Sequence, residues 1–397
     1  MSQVRNQYEA YPYPERNPKD EKKRLIMGSP SLPQEIDHFV FGGKRDWSKP
    51  LRILVAGGGT GDGLIQLTTL LTQYGKPYEA TYIDLSTASR KIAEERAKVR
   101  GLNNIKFITG SLLDAPQHGQ FDYIDCCGVL HHLPDPDLGF SALREALASS
   151  GGMGFMVYAP YGRSGVYPLQ SAFAALTQNM SPKDRLSLGR KVFGRLPEGH
   201  PLKSNPNLND HKSGDAGFYD LLLHSQDRAY DVTELDTTLR RTGWRLSDFT
   251  TPILYDLARF TDVPEDMDTT LAMATAEKLN GTIRTHTGYA IASDAEHAHA
   301  SGKNRSLVPH IKGVQTKALA QSAAQGKAPS LDTDGVKGKL ILPKTAAPLL
   351  ETIDGRRSLD DIARLTNSDP ISFGATWMQV EKALLPWGML LYSNVLR

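Results

Sequence analysis

Residues 51–75 leave this chain the least freedom. An apolar, β-branched run (LRILVA) meets a glycine-rich turn (GGGTGDG), and LIQLTTLLTQYG follows with apolar residues at helical spacing up to Gly75. Glycine suits a turn between strand and helix because it accepts positive φ and lets a ligand approach bare backbone. The nicotinamide fingerprint G-x-G-x-x-G fails in every register: its sixth position is Asp62 counted from Gly57 and Leu64 counted from Gly59, and its third is Thr60 counted from Gly58. What fits is G-x-G-x-G at Gly57, Gly59 and Gly61. Taken alone, this is weak evidence, and a tight turn that binds nothing is the alternative.

The surrounding pattern supplies context. Strand patterns at 80–86, 105–110, 121–130 and 151–159 alternate with helical patterns at 88–101 and 141–150, which predicts βαβ units and a parallel sheet covered on both faces. The alternation breaks over 160–230 and resumes with a helix at 232–243, a strand at 244–250, a helix near 267–281 and a strand at 284–293. Residues 160–230 therefore read as an insertion, either a cover for the ligand crevice or a buttress. Residues 1–48 read as an irregular arm with one helix, 294–310 as a linker, and 311–397 as a separate unit.

Ligands in open α/β sheets bind beyond the carboxyl ends of the strands. Four successive strand ends carry suitable chemistry. The glycines follow the first. Asp84 ends the second, where a carboxylate can accept both ribose hydroxyl protons. TGSLLDAP ends the third, bringing Ser111 and Leu112, and CCGVLHHLPDP ends the fourth. A helix cap or an exposed acid is the alternative reading of Asp84.

ILVAGGGTGDG, YIDLS, TGSLLDAP and FDYIDCCGVLHHLPDP, in this order, resemble class I S-adenosylmethionine-dependent methyltransferases. The resemblance covers 50–160 and extends to 231–293. It implies a doubly wound, Rossmann-like, seven-stranded α/β sheet spanning 49–293, with an antiparallel last strand and an insertion after strand 5. It implies S-adenosyl-L-methionine as cofactor, with contacts at Gly57, Gly59 and Gly61 for the methionine end, Asp84 for the ribose, Leu85, Ser111 and Leu112 for the adenine, and Cys127 and Gly128 nearby. Many members carry an acid where this chain has Val55, so another group must hold the methionine ammonium. Many also carry Asp at the Ser111 position, which leaves the adenine amino group to weaker contacts or to Asp114.

His131 and His132 follow the fourth strand and read either as proton carriers or as loop supports; no metal is expected, because no Cys or carboxylate lies at matching spacing. Cys126 and Cys127, adjacent and unable to staple the fold, read as small wall residues. Acceptor binding falls to Tyr11 and Tyr13 of the arm and to His224, Asp227, Arg228 and Tyr230 of the insertion, for which surface packing and a salt-bridged helix end are the alternatives. The carboxyl-terminal unit, LLETIDGRRSLDDIARL through VEKALLPWGMLLY, is similar to small winged-helix modules, and implies a peptide partner, a dimer contact or a cap.

Lys+Arg number 46 and Asp+Glu 44, a balance that argues against a nucleic-acid binder. No membrane-length apolar run and no signal-like amino terminus occur, which gives a cytoplasmic expectation. The expected activity is methyl transfer to a protein, peptide or small molecule; the alternative is a non-catalytic S-adenosylmethionine sensor.

Overall fold

The computed structural model describes residues 3–296 and 299–397. Helices α1 (Gln3–Ala10) and α2 (Pro33–Phe41) precede β1 (Leu51–Ala56), α3 (Asp62–Gln73), β2 (Tyr78–Asp84), α4 (Thr87–Val99), β3 (Ile105–Thr109), β4 (Phe121–Cys127), α5 (Pro136–Glu145) and β5 (Leu147–Tyr158). The insertion holds α6 (Val166–Leu176), α7 (Pro182–Phe193) and α8 (Gly214–Leu223). Then come α9 (Val232–Arg241), β6 (Trp244–Phe249), α10 (Thr269–Asn280) and β7 (Thr285–Ala292). The carboxyl-terminal unit comprises β8 (Pro309–Ile311), α11 (Thr316–Ala324), β9 (Ser330–Thr333), β10 (Val336–Lys339), α12 (Ala347–Glu351), α13 (Leu359–Leu365), α14 (Pro370–Leu384) and β11 (Leu390–Tyr392).

The seven strands β1–β7 form one sheet in the order β3-β2-β1-β4-β5-β7-β6, parallel except for β7, which runs antiparallel to β5 and β6. This is the Rossmann-like architecture of class I methyltransferases. Strand order reverses between β1 and β4, so their carboxyl ends open a crevice where such sheets bind ligands. Each face has its own core. Leu54, Ile124, Phe155 and Trp244 lie on one side. Ile36, Ile53, Val55, Leu67 and Tyr123 lie on the other.

Four sequence expectations change. The helical pattern at 141–150 is split: α5 starts at Pro136, with Asp135 accepting from the Asp137 amide at 3.1 Å, and the chain turns into β5 at Leu147 because Phe121 pairs there. The arm is more ordered than its composition suggests, since α2 is buried against the sheet. Leu307, Val308, Pro309 and His310, assigned to a linker, are buried, and the last two belong to β8. The carboxyl-terminal unit, though it has its own core around Trp377 and Tyr392, is not set apart. Its β11 pairs with β8, Leu391 and Val395 pack into the sheet's second core, and Ser393 Oγ and the Asn394 amide both donate to Asp37 of α2 at 2.8 Å. No described helix is long and apolar enough to cross a membrane.

Candidate functional site

At the crevice, Gly57 and Gly59 adopt φ of +68° and +50°, a region L side chains rarely occupy. A Cβ on Gly59 would come within 2.9 Å of the Tyr13 carbonyl oxygen, and one on Gly57 within 2.6 Å of the Val129 side chain. The turn is thus closed in by the arm above and the β4 rim beside it. Asp84 Oδ2 accepts from the Gly59 amide and Oδ1 from the Ser86 amide, both at 2.8 Å. Each oxygen keeps a second acceptor site, and the residue is only partly buried. Burial raises the Asp84 pKa against these two donors. Asp84 therefore fastens the loop and remains able to accept from a diol.

The neighbouring rim residues divide. Cys126 is buried; Cys127 is exposed to solvent although protein crowds around it and raises its thiol pKa, the signature of a cleft wall. Leu85 is exposed, whereas Leu112 packs into the main core. Ser111 Oγ accepts from the Leu113 amide at 3.2 Å and opens the helical turn 112–118. Asp125 is in lateral register with Val55, on the adjoining strand. It is buried, receives the Ser31 hydroxyl, and burial lifts its pKa to about 6. A carboxylate is thus present one strand over from the expected position.

The arm stitches the first two rim loops together. Thr60 Oγ1 donates to the Pro14 carbonyl at 2.7 Å, and Ser86 Oγ to the Tyr8 carbonyl at 3.2 Å. Glu9 caps α4 through the Thr87 amide at 2.6 Å. Arg16 and Arg96 both reach Asp62, at 2.6 and 2.7 Å. Burial raises the Asp62 pKa, but the two guanidiniums more than offset it and leave the carboxyl below its ordinary value. Arg96, fully buried, also donates to Glu21 at 2.7 Å and to the Thr60 carbonyl at 2.8 Å.

Across the crevice, arm, β5 and insertion meet in a buried polar cluster. Tyr8 Oη donates to Asp220 Oδ1 at 3.0 Å, and Tyr158 Oη to Asp220 Oδ2 at 3.4 Å. Burial first, then Asp220, pushes both phenol pKa values well up; burial also raises that of Asp220. His224 stacks on His132 with centroids 3.8 Å apart, and His131 lies 3.9 Å from the Tyr158 ring. Burial, aided by His132, Arg163 and His224, holds His131 well below the ordinary imidazole pKa, so it is neutral. The Arg163 guanidinium sits 3.5 Å above Tyr158 and meets Asp227 at 3.5 Å.

Of the expected acceptor residues, His224, Asp227 and Tyr13 belong to this cluster; burial and then Asp220 raise the Tyr13 pKa. Tyr11 stacks on Tyr219 of α8 at 5.1 Å. Arg228 and Tyr230 do not join. Arg228 lies 4.4 Å over the Tyr230 ring, whose charged neighbours include Asp137 and Arg241 on the α5–α9 side, because the chain leaves the cluster at Asp227 to re-enter the sheet. The sequence shows no Cys or carboxylate at matching ligand spacing around His131 and His132, yet the insertion delivers Asp220 and Asp227 to them. Asp220, four residues before His224 on one helical face, was the readable signal for that half of the cluster. A cavity of about 730 Å³, lined by Arg45, Arg52 and Asp122, lies at the opposite, amino-terminal edge of the sheet.

Comparison with known proteins agrees with the fold. Residues 54–153 match the family model described as a methyltransferase domain. Over 244 residues the chain is 33% identical to an uncharacterised protein of Synechococcus sp., covering 59% of this chain and 57% of that one. It is 35% identical over 78 residues to demethylmenaquinone methyltransferase of Geobacillus stearothermophilus, 19% of this chain and 32% of that enzyme. The chain thus spans less than three-fifths of the length of these relatives. PKMT2 from Rickettsia typhi, solved in complex with AdoHcy, superposes with a TM-score of 0.61 at 12% identity, covering 92% of this chain and 76% of that one.

Proposed function

We propose, from the premise that residues 51–292 are a class I S-adenosylmethionine-dependent methyltransferase domain, that this chain methylates an amine presented by a protein or peptide. The carrying observation is the Tyr8–Asp220 hydrogen bond, which closes the arm over the glycine turn and sets a buried carboxylate, ringed by tyrosines, opposite the cofactor rim.

The residues fit the cofactor. Asp84 offers free acceptor sites to the ribose hydroxyls, Gly57 and Gly59 offer bare backbone, and Leu85 and Ser111 flank the adenine side, with Cys127 and Gly128 walling the sulfur. The amide end of α3 favours the methionine carboxylate. Asp125 stands where it can replace the acid that Val55 lacks as partner of the ammonium. The sulfonium, when bound, brings an already activated methyl group.

The remaining task for the protein is positioning and proton removal. Tyr8 and Tyr13 offer the aromatic faces that attract an ammonium, and Asp220 the counter-charge. Asp220 takes the proton as the amine is desolvated. The neutral amine would then present its lone pair to the methyl group that the bound sulfonium would supply.

The test supplies labelled S-adenosylmethionine and wild-type protein to a cell extract. Label is expected in protein, as methylated amine stable to mild base; label confined to small molecules overturns the acceptor assignment. S-adenosylhomocysteine binding by calorimetry checks the premise separately. Tyr8→Phe should lower kcat about 100-fold, the low end of the range for a group assisting proton transfer, with cofactor affinity retained.

A further inference from the structure

We propose that His131, His132 and Asp227 form a binding site for a first-row transition-metal dication of the Zn2+ type. One donor atom from each lies within 4.8 Å of the other two. Both nitrogens of His131 and Oδ1 of Asp227 are buried and have no hydrogen-bond partner among the described residues. His131 is 1% exposed and the Asp227 side chain fully enclosed. Leaving such atoms unpaired in the interior costs about 1–3 kcal/mol each, so their convergence asks for a common partner.

The supporting contacts match those of a metal site. His132 Nδ1 lies 2.9 Å from the Gln226 carbonyl oxygen, which can only accept. Nδ1 therefore carries the proton and Nε2 the lone pair, the arrangement that orients metal-bound histidines. Asp227 Oδ2 is held by Gln170 Nε2 at 2.8 Å and Arg163 at 3.5 Å, which leaves Oδ1 to the site. Two imidazoles and one carboxylate suit zinc, and three protein ligands leave a coordination position open. Asp220 and Asp227 share the buried guanidinium of Arg163 among the described residues, so added positive charge is accommodated.

A second grouping, His132 with Asp220 and His224, is equally compact but already satisfied. His224 Nδ1 accepts from the Gln226 amide at 3.0 Å, which puts its proton on Nε2, and Asp220 receives both phenols. The site thus belongs to the first set and ties the end of the insertion to the β4 rim. It stands independently of the methyl-transfer reading.

The experiment strips the full chain with a chelator, loads it with Zn2+, and measures retained metal by mass spectrometry and affinity by competition with a chromophoric chelator. One equivalent is expected in the wild type. Removing an outer partner costs about 10- to 100-fold in affinity, so Gln170→Ala should fall in that range and His131→Ala or Asp227→Asn should lose more. His224→Ala, which removes a ring stacked on His132 but no ligand, should cost less Zn2+ affinity than Gln170→Ala. Circular dichroism and S-adenosylhomocysteine binding report whether each variant is folded. Should the ligand variants fail to fold, Co2+ loaded into the wild type must give the intense visible bands of a four- or five-coordinate site. Retention below about 0.1 equivalent, a six-coordinate aqueous Co2+ spectrum, or a requirement for His224 overturns the assignment.

Discussion

Asp84→Asn separates the two tasks assigned to one carboxylate. Its two oxygens hold the Gly59 and Ser86 amides at 2.8 Å, and the same oxygens are to receive the ribose hydroxyls. Asparagine keeps one acceptor and turns an NH2 toward one of those amides. The lost bond and the amide left unpaired should cost about 1–3 kcal/mol of stability. The cofactor loses one charged acceptor, about 1.5–3 kcal/mol, equivalent to about 10- to 100-fold weaker binding. Urea denaturation reads the first quantity and calorimetric titration with S-adenosylhomocysteine the second. A variant that lost stability yet bound the nucleoside within about threefold of wild type would show that Asp84 only fastens the loop, and the ribose assignment would fail.

Three further outcomes follow from burial and charge. Arg96→Ala removes the partner shared by Glu21 and Asp62 and should cost about 3–5 kcal/mol, whereas Arg96→Met, which keeps apolar volume, should still lose the pairing but less packing; urea melts compare them. Asp125 has a folded pKa of about 6 against an ordinary 3.8. Between these values the folded state binds more proton than the unfolded, so its contribution to stability falls as pH rises through that window. Two units correspond to about 3 kcal/mol, and Asp125→Asn should remove that part of the slope; an unchanged difference between wild type and variant across pH 4–7 refutes the assignment. Leu391→Ala, in the carboxyl-terminal strand but packed in the sheet's core, should cost about 2–5 kcal/mol and shift one common unfolding transition. Two transitions of which only one moved would contradict the coupling.

The features legible in the sequence were those a strand end carries by itself. Gly57, Gly59 and Asp84 could be placed because a βα unit fixes which residues reach the rim, and the sheet's seven strands followed from alternation of two periods. Asp125 was invisible for the opposite reason: its meaning lies in register with Val55, and register is a property of two strands seventy residues apart. The same applies to the buried cluster. Tyr8 comes from the arm, Tyr158 from β5, and Asp220 and Asp227 from an insertion whose own pattern was too irregular to orient. Only Asp220 and His224 share a helical face, so only that pair left a periodic trace. Arg228 and Tyr230, equally dense in chemistry along the chain, fell outside because the backbone re-enters the sheet between Asp227 and Tyr230, where the Tyr230 amide bonds the Tyr158 carbonyl at 2.9 Å. Chain proximity therefore misleads most where an insertion rejoins a sheet: Asp227 faces the buried cluster, Arg228 is exposed and Tyr230 packs into the core of one sheet face. Assigning acceptor residues in such insertions requires knowing where the first sheet hydrogen bond re-forms, and here that bond divides the cluster residues from the packing ones.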